Sequence, residues 1–437
     1  MIRRRFIALV LAASLSILAQ LLILFLHSPP LNPTDEILLR IPMINLVTYE
    51  SLFYHALAIP FIAILLYTTI DVFGLSGRFS DYAALNVTIG HVFASVGAWA
   101  IIVLKWNPVA HAFLFLGLSL SFLAGISLLI AVGKHNFGRV DSYSARRVKL
   151  MRIALFSAIF FVLATSLIGF YATLGSSQWG AVGEIERFRL VVAAHRHTII
   201  TVCAAAIVIL ASYHFDAHSF EGTRGFFVDA GLYLTLIGIP LVSVSTYAAI
   251  PFGVAAHNVI TPSGAMLLQG ALFIMYAIFA DFVVKGRGAN PIKAVFGDAA
   301  SFGLLFTFFW VNVAVTLPGI YVAIHLDKFV GLRNEIPFVL GHEHALIVLT
   351  AVALFLLVLV RVCEDTVSRK VAGVLLTIGY VVTTGAALFY VFLDPVPHNS
   401  FAIPYMQAGI VMLMAGFLLG LMLLIIAARS KSIKNGR

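Results

Sequence analysis

Two short segments of this sequence carry histidines two residues apart: His195-Arg196-His197 and His342-Glu343-His344. A single histidine, His55, sits in TYESLFYHALAI (48–59), and another, His257, in GVAAHNVITP (253–262). Neutral imidazole is the commonest protein ligand for transition metals and a frequent axial ligand of heme iron. Residues i and i+2 of a helix point about 200° apart. The two imidazoles of each pair therefore cannot easily share one metal, but they can serve two centres on opposite sides of one helix. His55, from another helix, is a natural second ligand for one of those centres.

The elements that position these residues are membrane spans. Hydrophobic residues make up 61% of the 437 and charged residues 11%, where a soluble domain carries roughly 25% charge. Mean hydropathy is +1.03. The apolar runs are about twenty residues or longer, which selects helices over the alternating ten-residue strands of a barrel. We place twelve spans at 5–27, 51–74, 87–104, 108–132, 150–174, 190–212, 226–250, 257–284, 297–324, 336–360, 369–393 and 402–428, forming one all-α, polytopic transmembrane domain over 1–437. The run after Arg3-Arg4-Arg5 reads as the first span, since it has no small-residue cleavage site. The net charge of +9 reflects topology, with no nucleic acid implied: about three quarters of the Lys and Arg residues fall in loops that twelve spans place inside. Arg146-Arg147-Val148-Lys149 is the strongest inside anchor, and both termini are expected in the cytoplasm. The two cysteines, Cys203 and Cys363, form no CxxCH or CxxC motif.

On this topology His27, His55, His111, His195, His197, His257, His325, His342, His344 and His398 lie toward the outside. His55, His195, His197, His342 and His344 lie within spans two, six and ten, about 6–12 Å below the outer boundary. Ionisable residues at such depth mark function by default. The segments opening these three spans, GEIERFRLVVAAHRHTII (183–200), GLRNEIPFVLGHEHALI (331–347) and the weaker TYESLFYHALAI, look alike. A recurrence every four spans predicts three pseudo-repeated four-helix units.

Twelve helices, a span-two histidine and the span-ten VLGHEHALIVLTAVALF (339–355) resemble the catalytic subunit of the heme-copper oxidase and nitric oxide reductase superfamily. The resemblance implies that His342 holds a high-spin, gas-binding heme. It implies that His344 and His55 hold a low-spin heme, both hemes being of b type. It assigns a non-heme copper or iron to His257 with one of His195 and His197. The sequence departs from the family pattern at several points. The histidine pair of helix seven is a single His257. The residue four after His195 is Ile199 where many oxygen reductases have tyrosine. Span six has no glutamate, and DPVPHNSFAIPY (394–405) has no arginine pair.

The resemblance thus implies a redox enzyme of the cell (plasma or inner) membrane that reduces oxygen or nitric oxide, embedded in membrane lipid. Its electron donor is another subunit, of cytochrome c or copper type, or a quinol. The outer carboxylates Glu50, Glu184, Glu186, Glu335 and Glu343 fit proton uptake from outside and tilt the reading toward nitric oxide. The inner half offers Asp71, Asp281, Asn312 and the hydroxyls of Thr246, Tyr247, Tyr276, Thr307 and Thr316. Two rival readings stand: a non-catalytic heme protein for electron relay or nitric oxide sensing, and a twelve-span secondary transporter.

Overall fold

The computed structural model describes residues 10, 13–14, 18, 43–104, 107–135, 143–174, 184–285, 297–325, 335–393 and 402–434. Helices follow one another through all of these segments, and no strand occurs among the described residues. In chain order they are α1 (Met43–Val72), α2 (Arg78–Leu104), α3 (Pro108–His135), α4 (Tyr143–Leu174), α5 (Glu184–His214) and α6 (Gly222–Phe252). There follow α7 (His257–Lys285), α8 (Ala299–Val311), α9 (Leu317–Ile324), α10 (Glu335–Val362), α11 (Val367–Leu393) and α12 (Ala402–Lys434). A π-turn, Asn312–Thr316, joins α8 to α9 within one span.

Eleven helices among the described residues are long and apolar enough to cross a membrane. The chain is a multi-pass membrane protein. The first expected span, 5–27, lies almost wholly outside the described residues, of which Val10, Ala13, Ser14 and Leu18 are helical. The other expected spans correspond one to one with helices, most of which run past the apolar core of the span. Thus α2 starts nine residues before the expected 87, at Arg78, and α5 starts at Glu184 instead of 190. Charged first turns lie where water and headgroups can solvate them, so hydropathy does not reveal them.

Burial sorts the helices into two groups. The spanning windows of α1, α5 and α10 are 78%, 78% and 83% buried, while those of the other eight lie between 22% and 56%. These three helices pack against one another at the centre. Around them α2 pairs with α3, α6 with α7, and α11 with α12. Each pair crosses at two facing glycines. A Cβ on Gly90 would stand 2.9 Å from the Gly117 carbonyl oxygen, and one on Gly117 2.6 Å from that of Gly90. The reciprocal distances are 2.6 and 2.9 Å for Gly231 and Gly270, and 3.0 and 2.8 Å for Gly379 and Gly409. In lipid no hydrophobic effect drives helices together, so close backbone approach over small residues supplies the dispersion energy that does.

One end of the bundle is joined by arginine–aspartate pairs. Arg147 on α4 meets Asp229 on α6 at 2.8 Å, and Arg361 on α10 meets Asp71 on α1 at 2.8 Å. Arg369 on α11 reaches Asp298, the N-cap of α8, at 3.3 Å, and Arg224 on α6 pairs with Asp281 on α7. This is the end at which the charge pattern places the inside. We term it the basic end, and the opposite one the histidine end.

Candidate histidine layer

The three buried helices converge at the basic end on one group each. Arg361 of α10 donates from Nε and Nη2 to Asp71 of α1, at 3.2 and 2.8 Å. Its Nη1 lies 3.4 Å from Nδ1 of His214 on α5. This vertex provides a common origin for measuring height along the three helices. His197 stands seventeen residues before His214, and His344 seventeen before Arg361. His195 and His342 each stand nineteen before, and His55 sixteen before Asp71. At 1.5 Å per residue all five imidazoles attach about 24–29 Å above the vertex, within one helical turn of one another.

Of these side chains, His195 is held by α4. Its Nδ1 lies 2.9 Å from the Thr165 carbonyl oxygen of α4. A carbonyl only accepts, so Nδ1 carries the hydrogen, and in the neutral ring Nε2 is left with its lone pair. The ring rests on the bare backbone of Gly169: a Cβ there would stand 3.1 Å from both Cε1 and Nε2. The Thr165 hydroxyl is fully buried and has no hydrogen-bond partner. His55 is half-buried and lies within electrostatic reach of His195. His197 is also half-buried and makes contacts of its own.

The structure thus seats His195 against α4, with His55 within electrostatic reach of it. It places His342 and His344 on the helical backbone of α10 and His257 at the first residue of α7, after a 3-10 turn at Gly253–Ala256. The side chains of His342, His344 and His257 lie outside the described residues, as do those of Glu50, Glu184, Glu186, Glu335 and Glu343. Among the described residues no group of three or more His, Cys, Asp or Glu is arranged to hold a metal ion.

At the lower edge of the layer, polar groups link the helices. The Thr198 and Thr246 hydroxyls join α5 to α6, and the Tyr247 hydroxyl donates to the Ala164 carbonyl of α4. Asp71 and Asp281, expected near the inner ends, are both held by arginines. Sequence reasoning singled out neither Arg361 nor His214, because each is an ordinary end-of-span residue until the three helices are brought together. It also passed over His91. This residue is buried on α2, with Nδ1 3.1 Å from the Val87 carbonyl and Nε2 unpartnered. A lone histidine in an apolar run has no spacing to identify it; its depth is the only signal.

No family model matches the chain, and neither a characterised protein nor a solved structure matches it.

Proposed function

We propose that the chain is the catalytic subunit of a membrane redox enzyme, a divergent member of the heme-copper oxidase and nitric oxide reductase superfamily, reducing oxygen or nitric oxide. The observation that carries the reading is the common height of His55, His195, His197, His342 and His344 on three mutually packed, buried helices. A transporter has no evident use for five imidazoles in one layer.

The surroundings of His195 support a metal-bound imidazole. A ligating histidine almost always donates its second ring N–H to a carbonyl or carboxylate, which fixes the tautomer and the ring plane. His195 makes this bond to Thr165, and Gly169 leaves room for the ring. When bound, two b-type hemes and a copper or iron supply the one-electron steps and the open coordination position for the gas. In this assignment His342 holds the gas-binding heme, His344 and His55 hold the relay heme, and His257 with His195 or His197 holds the non-heme metal. The proximity of His55 to His195 adds a second option, in which span six contributes to the relay side.

The reading extends to architecture and setting. A twelfth span at 5–27 completes three units of four helices, each with one buried histidine helix followed by a glycine-crossed pair. The contrast in burial and the three glycine crossings support this repeat. Both termini lie on the cytoplasmic side of the plasma or inner membrane, and electrons come from a partner subunit or a quinol. A cytoplasmic-side reporter fused after Arg437 is expected to be active; activity only of an outside reporter would contradict the orientation. The optical spectrum of the purified protein tests the heme assignment, with a Soret band expected.

The single His257 in place of a histidine pair leaves one rival with a specific basis. This is a two-heme protein without the non-heme metal, relaying electrons or sensing nitric oxide. Elemental analysis separates the two: catalysis calls for about one non-heme metal for every two hemes.

A further inference from the structure

A groove runs between α2 and α3 on their lipid-facing side. Phe79, Asn86 and Phe93 recur every seven residues on α2, and Phe113, Leu120, Ser127 and Lys134 do so on α3. Seven residues are almost two turns, so each row keeps to one face of its helix. The two rows meet at both ends. The Phe93 and Phe113 rings lie 5.1 Å apart, and the Lys134 Nζ stands 4.4 Å from the centre of the Phe79 ring. Between these contacts the crossing at Gly90 and Gly117 holds the helices together. Every residue of the two rows is half-buried or exposed, so the groove opens to the lipid. The spanning window of α3 is only 22% buried, the least of the eleven.

The groove carries charge at the basic end without a counterpart. Four arginines at that end are paired with aspartates. Arg78 and Lys134 make no ion pair among the described residues, and the exposed Asp81, one turn beyond Arg78 on α2, reaches neither. Both cations lie over one ring. The Arg78 Cζ stands 5.2 Å from the centre of Phe79, so no more than about 10 Å separates the two charges. Two cations drawn together with no carboxylate between them favour an anion. The free N–H groups of the first turn of α2, which begins at Arg78, add to the positive potential there. The preceding turn leaves room, since a Cβ on Gly77 would meet nothing within 4 Å. Deeper in the groove, about 10 Å above Phe79, the half-buried Asn86 amide makes no hydrogen bond among the described residues. An amide left unpaired against hydrocarbon is costly, and it calls for a polar partner within the groove.

We propose that this groove binds one anionic phospholipid from the leaflet at the basic end. The phosphate bridges Arg78 and Lys134. The Asn86 side-chain N–H donates to an ester carbonyl of the glycerol backbone. The interfacial layer between phosphates and hydrocarbon is about 5–8 Å thick. A phosphate level with Phe79 therefore brings its ester carbonyls within reach of Asn86, whose side chain tilts back toward the basic end. The acyl chains run on over Leu120 and the exposed apolar flanks, Leu85 and Ile89 on α2 and Leu123 and Ile126 on α3. Basic pockets between membrane helices bind anionic headgroups. Here charge, amide and apolar wall follow one another in the order of a phospholipid's own parts. A free phosphate uses the two cations and leaves Asn86 unsatisfied. The bound lipid joins α2 to α3 on the basic side of their glycine crossing. This inference stands apart from the redox reading, and its test needs no heme.

The test uses the full chain, purified in a mild detergent, stripped of lipid and titrated with phosphatidylglycerol, phosphatidylcholine or inorganic phosphate. Native mass spectrometry counts bound lipid, and thermal unfolding reads the stabilisation that binding confers. The wild type is expected to hold one phosphatidylglycerol in preference to phosphatidylcholine and to melt higher with it. Inorganic phosphate is expected to leave the melting temperature unchanged. Arg78→Gln with Lys134→Gln is expected to weaken phosphatidylglycerol binding about 30-fold, and Asn86→Leu about 5-fold. Lys149→Gln with Arg429→Gln removes two exposed charges elsewhere at the basic end and is expected to bind as the wild type. Should the groove glutamine pair fail to assemble, Asn86→Leu decides by itself. The inference is overturned if phosphatidylcholine binds equally well, if phosphate alone gives the same shift, if the control pair loses as much binding as the groove pair, or if Asn86→Leu binds unchanged.

Discussion

The Nδ1–H of His195 is committed to the Thr165 carbonyl, and its ring lies on Gly169. The 200° separation within a His-x-His pair required only one of His195 and His197 to face any given centre, without saying which. Of the two, His195 is the one seated on α4, the preceding helix, whose Gly169 makes room for its ring. The same geometry on α10 leads to different lesions for its two histidines. His342→Ala is expected to abolish carbon monoxide binding, because the gas-binding heme loses its protein ligand. His344→Ala and His55→Ala are each expected to remove the low-spin signal and leave gas binding largely in place. Spectra of the three assembled variants, with and without carbon monoxide, test this; identical losses in all three would mean that α10 does not divide two centres. The histidine pairs were legible in the sequence because their spacing is periodic and their depth could be counted from span boundaries. Arg361, His214, His91 and Tyr380 were not. Each is a single polar residue whose neighbours in sequence give no spacing to identify it, and the partners of Arg361, His214 and Tyr380 come from other spans.

At the level of the elements, hydropathy located each described span, and the chain order of the most buried helices follows the resemblance among segments 48–59, 183–200 and 331–347. The glycine crossings were not legible. A glycine in a membrane helix has many possible reasons, and only the facing backbone distinguishes a crossing from an ordinary position. The consequence can be measured. A side chain at Gly117 would meet the Ala94 backbone as well as the Gly90 carbonyl, neither of which can move without separating α2 from α3. At Gly133 the nearest atom is a flexible Phe156 ring carbon, 3.4 Å from the added Cβ. Gly117→Ile is therefore expected to cost at least ~1–3 kcal/mol, the usual range for overpacking, while Gly133→Ala costs little. Denaturation of the two variants in the same detergent makes the comparison. Equal stability would show that the crossing contributes nothing.

The molecule as a whole combines two ends of different character. At the basic end, arginine–aspartate pairs tie α1 to α10, α4 to α6, α6 to α7 and α8 to α11. Arg147 is almost wholly buried in its pair, so neither partner can be removed without leaving a charge exposed to a poor solvent. At the histidine end, the histidines of the three central helices attach to the backbone at one level. A bundle fixed at one end by ion pairs can hold ligands at the other to the precision that metal coordination demands, and α1, α5 and α10 are the elements that connect the two ends. The central claim is that this level holds hemes. The most direct test is one optical spectrum of the purified full-length protein, oxidised and then reduced with dithionite, with heme quantified against protein. The account predicts a Soret band, reduced b-type bands, and two hemes per chain. Protein that is folded, monodisperse and without Soret absorption, even when produced with added heme precursor, would contradict it.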